Sequence, residues 1–66
     1  MEKNYEVIRL EQKQKQLNDA LNTLNEYSLY LLMEHDDENS AILERAANVL
    51  YGELYLVEKD LESWKV

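Results

Sequence analysis

The residues of this sequence best suited to chemistry lie in one acidic segment, residues 34–38, which reads Glu-His-Asp-Asp-Glu. The imidazole of His35 is a potential general base, but that role requires a pocket and an orienting partner. The carboxylates around it could attract a divalent cation, yet the segment lacks the glycine and the terminal glutamate of an EF-hand loop. We therefore interpret this segment as a solvated turn and helix cap, and we predict no metal site there.

No other pattern of reactive side chains indicates catalysis. Ser28, Ser40 and Ser63 have no histidine at a helical spacing that would activate them. The sequence has no cysteine, which excludes disulfides and thiolate metal sites. Its one glycine, Gly52, cannot make a glycine-rich phosphate loop. The sequence thus predicts a protein that is not an enzyme and uses no cofactor, no metal and no small-molecule substrate.

The elements that would position any functional residue are two helices, each marked by a seam of mostly apolar residues. Residues at alternating steps of three and four return to one face of a helix, as in a coiled coil. The first seam has two polar interruptions and comprises Val7, Leu10, Gln14, Leu17, Leu21, Leu24, Ser28 and Leu31. The second seam has no polar interruption and comprises Leu43, Ala47, Leu50, Leu54, Val57, Leu61 and Trp64.

The two seams are out of phase, so the chain must break between them. Extending the first seam would place His35, Arg45 and Gly52 in a core, where such residues are rare. The segment between the seams is rich in residues that cap helix N-termini, namely Asp36, Asp37, Asn39 and Ser40. A connection this short predicts two helices folded back on each other.

The sequence therefore predicts an all-α chain that forms one antiparallel helical hairpin, a single domain over residues 1–66. We expect helix 1 over about residues 3–33, an acidic turn over about 34–39 and helix 2 over about 38–65. Chains below roughly 70–80 residues usually need a disulfide, a metal or an oligomeric partner for stability. With no cysteine, we expect the hairpin to complete a four-helix bundle, by dimerisation or with a partner chain.

Helix 2 carries a second row beside its seam, which helix 1 alone cannot cover. The row comprises Ile42, Ala46, Val49, Glu53 and Leu56. Five tyrosines, one tryptophan and no phenylalanine suggest half-exposed contact sites, because a tyrosine has an apolar ring and a polar tip. We expect Tyr27, Tyr30, Tyr51 and Tyr55 either to border one binding surface with Ile42, Ala46, Val49 and Leu56, or only to edge the bundle core.

The charge of the chain is negative and unevenly distributed. The formal net charge is −7, and residues 34–66 carry nine acidic and three basic residues. The negative charge therefore disfavours direct binding of nucleic acid or of a membrane surface. The acidity either keeps the chain in solution or faces a basic partner, in which case the candidate residues are Glu53, Glu58, Asp60 and Glu62. An amino terminus without a long apolar stretch predicts a cytoplasmic protein.

The layout of two seamed helices joined by one acidic turn resembles two known groups of proteins. It is similar to Rop-like RNA-binding homodimers, whose hairpins pair into a four-helix bundle. It is also similar to the YscE-like co-chaperones of type III secretion needle proteins, which pair with a larger helical-repeat chaperone. Both resemblances concern layout over the whole chain, and they assign no functional residue.

The leading hypothesis is a protein–protein interaction module, a small acidic regulator or inhibitor that binds a larger protein. Mobile-element and phage-type inhibitors of nucleic-acid-binding host proteins work in this way. One alternative is a co-chaperone that folds with its partner, as the YscE-like resemblance implies. Another is a Rop-like RNA-binding homodimer that uses Arg9, Lys13 and Lys15. A homodimer with no further partner is the simplest alternative.

Overall fold

A computed structural model describes the backbone of residues 2–64 and the side chains of residues 5–64. The chain forms two α-helices, α1 (Glu2–Met33) and α2 (Asp37–Trp64), joined by residues 34–36. The helices pack against each other as an antiparallel hairpin that measures 51 by 14 by 12 Å. The predicted all-α hairpin is therefore confirmed. α2 begins within one residue of its predicted start at about residue 38, and its predicted end at residue 65 lies outside the described residues.

The two helices meet through the two predicted seams. Leu21, Leu31, Ala47 and Val57 are buried, with 3–6% of their surface exposed. Every other residue of the two seams is half-buried, including the polar Gln14 and Ser28. The seams are therefore confirmed as the contact between α1 and α2.

Both polar interruptions of the α1 seam find partners on α2. The hydroxyls of Ser28 and Ser40 lie 3.2 Å apart, within hydrogen-bonding distance. The side-chain amide of Gln14 donates a hydrogen bond of 3.3 Å to the carboxylate of Glu58. Ser40, predicted as a possible helix cap, is instead a buried residue of the interface. It stands three residues before Leu43 and so extends the α2 seam towards the turn.

The turn is built from a helix-ending motif followed directly by a helix-starting cap. The amide of Asp36 donates to the carbonyl of Leu31 at 2.8 Å, and that of His35 donates to the carbonyl of Leu32 at 3.1 Å. These two bonds define a Schellman motif, in which one residue adopts a left-handed conformation. His35 is that residue, with a φ of 61°. The position is usually occupied by glycine, because a Cβ atom disfavours the left-handed conformation.

Asp36 is the N-cap of α2, one of the four residues predicted for that role. Its carboxylate accepts the backbone amide of Asn39 at 3.3 Å and the side-chain amide of Asn39 at 2.8 Å. The bond from the backbone amide is typical of an N-cap residue, which satisfies an open donor of the first helical turn. Asp37 and Glu38 follow in that turn, where negative charge interacts favourably with the helix dipole.

Two candidate protein-binding surfaces

The contact between α1 and α2 leaves two long flanks of the hairpin exposed, one on each side of the seams. Side chains of neighbouring positions on a helix are separated by about 100°, so residues two apart point about 200° apart. Val49 and Tyr51 of α2 therefore lie on different flanks. The contacts of each helix show which residues share a flank, and they divide the predicted interface residues into two groups.

The first group forms what we call the apolar flank. Its α2 residues are Ile42, Ala46, Val49 and Leu56, and its α1 residues are Ala20, Tyr27 and Tyr30, all exposed. The two helices meet there at a shallow depression lined by both Tyr27 and Ile42. The rings of Tyr27 and Tyr30 stack, with centroids 6.0 Å apart and planes inclined by 9°. Val49, at the middle of α2, is 69% exposed, far more than a β-branched aliphatic residue usually is.

The second group forms what we call the acidic flank. Its α2 residues are Tyr51, Tyr55, Glu58 and Glu62, and its α1 residues include Glu11 and Asn25. The side-chain amide of Asn25 donates to the hydroxyl of Tyr51 at 3.4 Å, which places both residues on this flank. The ammonium of Lys59 lies 5.7 Å from the ring centroid of Tyr55, within the range of a cation–π interaction.

The acidic flank ends in a groove at the open end of the hairpin. The groove has a volume of about 460 Å³ and is lined by Val7, Glu11, Gln14, Glu58, Leu61, Glu62 and Trp64. Val7, Leu61 and Trp64 are half-buried and make an apolar floor, whereas the three glutamates are exposed at its walls. Among residues 5–64, whose side chains the structure describes, the lining of the groove includes three glutamates and no basic residue.

The four tyrosines, for which one shared surface was one of two interpretations, thus form two pairs on opposite flanks. Tyr27 and Tyr30 lie beside the α2 row, whereas Tyr51 and Tyr55 lie on the acidic flank. The four acidic candidates divide in the same way. By their helical spacing, Glu53 and Asp60 belong to the apolar flank, and Glu58 and Glu62 belong to the acidic flank.

Three apolar side chains near the turn were not among the predicted interface residues. Leu29, Leu32 and Met33 are 63%, 49% and 80% exposed. Their signal in the sequence is the unbroken apolar run from Leu29 to Met33, in which only Leu31 belongs to the seam. An apolar run longer than a seam requires must expose its remaining members in a two-helix fold.

The side chains considered for chemistry lie in different surroundings, since Ser28 and Ser40 face each other in the helix contact whereas Ser63 is exposed. His35 is exposed in the turn. Within residues 2–64, no group of three or more histidine, cysteine, aspartate or glutamate side chains is arranged to hold a metal ion. Over the same residues, neither helix is long and apolar enough to cross a membrane. Comparisons of the chain with protein-family models, with curated proteins and with solved structures gave no match.

Proposed function

We propose that this chain is a small acidic regulator or inhibitor that acts by binding a larger protein through its acidic flank. The groove between Glu11, Glu58 and Glu62 is the observation that carries the proposal. It combines an apolar floor with three exposed carboxylates, and the exposed Tyr55 lies beside Glu58 and Glu62. These are groups that bind a partner rather than groups that react with a substrate.

The chemistry of the groove fits a basic side chain of a partner protein. Arginine and lysine have long apolar stems and charged ends, so a stem would pack on Leu61 and Trp64 while the charge meets the glutamates. Tyr51 and Tyr55 supply apolar contact area with a hydrogen-bonding tip, which is common in protein interfaces.

The charge of the second half supports the same kind of partner. Residues 34–66 carry nine acidic and three basic residues, and opposite charge on a partner accelerates association. A basic surface is typical of proteins that bind nucleic acid. The proposed target is therefore a basic, nucleic-acid-binding protein, whose surface the acidic flank would occupy. The absence of cysteine from the sequence fits action in the reducing cytoplasm.

A charge-reversal experiment tests this proposal. The variant Glu58→Lys/Glu62→Lys changes the acidic flank, and Glu53→Lys/Asp60→Lys makes the same change of net charge on the apolar flank. The probe is a fluorescent peptide of alternating arginine and leucine, titrated by anisotropy over a salt series. We expect the first variant to weaken binding about tenfold and the second about threefold or less, since exposed charge pairs contribute up to about 1 kcal/mol each. Equal effects of both variants, or an affinity independent of salt, would contradict the proposal.

A second candidate function, a co-chaperone that folds with a larger partner, is favoured by the thin core. The described residues bury four hydrophobic side chains, and a hairpin with so small a core has little stability of its own. Circular dichroism of the isolated chain discriminates between the two functions. A cooperative unfolding transition would support the regulator, and a weakly helical chain without one would support the co-chaperone.

A further inference from the structure

The α1 residues of the apolar flank form a regular pattern that neither the contact between α1 and α2 nor the proposed function explains. These residues follow alternating steps of four and three: Arg9, Lys13, Gln16, Ala20, Thr23, Tyr27 and Tyr30. All seven are exposed. Two basic residues stand at one end, two stacked tyrosines at the other, and a small residue at the centre. The two ends are therefore chemically complementary to each other.

The apolar flank shows a similar order on α2, with Val49 at its centre. Ile42 and Leu56 stand seven residues before and after Val49, and both are exposed. Two small residues, Ala46 and Gly52, stand three residues before and after it. Gly52 has open space around it, since a Cβ atom built there would meet no other atom within 4 Å.

The charges beside Val49 are arranged in the same symmetric way. Arg45 stands four residues before Val49 and Glu53 stands four residues after it. A helix that lies antiparallel to a copy of itself, centred on Val49, brings Arg45 of each copy opposite Glu53 of the other. Opposite charges across an interface favour that one alignment over others.

The centres of the two patterns lie at the same level along the hairpin. Ser28 meets Ser40 near the turn, and Gln14 meets Glu58 towards the open end. The residue midway between the two contacts is Leu21 on α1 and Val49 on α2. Ala20, next to Leu21, is therefore within one residue, or about 1.5 Å, of the level of Val49. A single axis can pass through both centres.

We propose that two copies of this chain pair through their apolar flanks, around a twofold axis that is perpendicular to the helices and runs past both Ala20 and Val49. The turns then lie at opposite ends of an antiparallel four-helix bundle. On α2, Val49 meets its own copy, and Ile42 meets Leu56 of the second copy. The small residues near the axis allow the backbones to approach closely.

On α1, the same axis brings the basic end of one copy to the tyrosine end of the other. Lys13 reaches Tyr27 of the second copy, and Arg9 reaches Tyr30, where cations and aromatic rings attract each other. In the single chain, Arg9 makes a 3.8 Å ion pair with Glu6. Both side chains of that pair are at least half exposed, so the pair is weak and Arg9 can be redirected at small cost.

The area of the flank matches what a stable pair requires. One long side of a body 51 by 14 Å has a projected area of roughly 700 Å², close to the roughly 800 Å² that each partner buries in a standard interface. Pairing must therefore use almost the whole flank. The α1 pattern satisfies this condition, since it extends from Arg9 to Tyr30.

Cysteine scanning of the full chain tests the pairing, because the sequence has no cysteine of its own. Val49→Cys should form a disulfide-linked dimer on mild oxidation, and Tyr51→Cys, on the acidic flank, should not. Ile42→Cys and Leu56→Cys should crosslink readily only when the two variants are mixed. Crosslinking of Ile42→Cys with itself, or of Val49→Cys with Ala20→Cys in preference to its own copy, would overturn the perpendicular axis.

A second measurement does not depend on crosslinking. Light scattering of the unmodified chain should give the mass of a dimer at micromolar concentration. Val49→Glu should weaken dimerisation at least tenfold and leave the helical content of the monomer unchanged, because Val49 is exposed in the hairpin. Tyr51→Glu, the matched control, should leave the mass unchanged. A monomeric mass for the unmodified chain, or equal effects of the two variants, would overturn the proposal. Neither outcome affects the acidic flank.

Discussion

The hydroxyls of Ser28 and Ser40 face each other at 3.2 Å across the contact between α1 and α2. Ser40 is buried and Ser28 is half-buried, so water has little access to either hydroxyl. Each hydroxyl therefore depends on the other for a hydrogen bond. A slip of the helices would place one hydroxyl against leucine and leave both without a partner. The pair therefore fixes the alignment of the two helices near the turn. Contacts between the leucines of the seams would discriminate little between neighbouring alignments.

We expect the two serines to be coupled by about 0.5–1 kcal/mol in the free energy of unfolding. Ser28→Ala or Ser40→Ala alone leaves a hydroxyl unpaired, whereas the double variant removes both. Urea denaturation of the unmodified chain, the two single variants and the double variant, all at one concentration, gives the coupling energy. The difference in helix propensity between serine and alanine cancels in this comparison. Ser28→Ala combined with Ser63→Ala is the control and should be additive, because the hydroxyl of Ser63 bonds the carbonyl of Asp60.

His35→Gly should raise the free energy of unfolding by about 0.5–1 kcal/mol, because glycine adopts the left-handed conformation without the strain of a Cβ atom. His35→Ala is the control, since it keeps the Cβ atom and should change stability little. Thermal unfolding followed by circular dichroism measures both. A destabilised His35→Gly variant would show that the histidine ring makes a contact worth more than the strain of its φ of 61°.

Asp36→Ala should destabilise the hairpin by about 1 kcal/mol, because it removes the acceptor for both donors of Asn39. Asp36→Ser should restore most of the loss, since serine also caps helices well. Asp37→Ala, one residue further on, removes only a favourable interaction with the helix dipole and should cost less. Equal losses for Asp36→Ala and Asp37→Ala would indicate that charge, rather than the cap, stabilises the start of α2.

Leu21→Ala should destabilise the chain by about 2–4 kcal/mol, because Leu21 is 3% exposed and its removal leaves a cavity in a thin core. Leu29→Ala makes the same chemical change at a residue that is 63% exposed, and it should cost less than about 0.5 kcal/mol. Chemical denaturation at equal concentrations compares the two. Similar losses would mean that Leu29 is covered in the assembled protein.

The seams and the break could be predicted from the sequence because both depend on local periodicity. Leu21 and Ala47 are buried, as their positions in the two seams predict. Because the seams are out of phase, a turn is required between the two helices. Asp36 was one of four possible caps, and its selection depends on where the Schellman motif ends α1. That motif could not be foreseen, since His35 occupies a position at which glycine is the usual signal.

The division into two flanks was missed for a different reason. Tyr51 and Val49 are close in sequence, and their assignment to opposite sides depends on the direction in which each lies from the seam. The expectation of one tyrosine surface considered the level of the tyrosines along the hairpin and neglected this rotation. The residue type of Ser40 makes it one of four possible caps, although its spacing to Leu43 also places it in the seam.

The position of the two flanks on opposite sides of the hairpin determines how many partners an assembly can hold. When two copies join through their apolar flanks, both acidic flanks face outwards, in opposite directions. The particle is then bivalent and can bridge two molecules of a basic protein, or hold one oligomer at two points. Bridging of this kind raises avidity without any new contact. A monomeric variant that keeps an intact acidic flank would bind the same partner singly and would lose that gain.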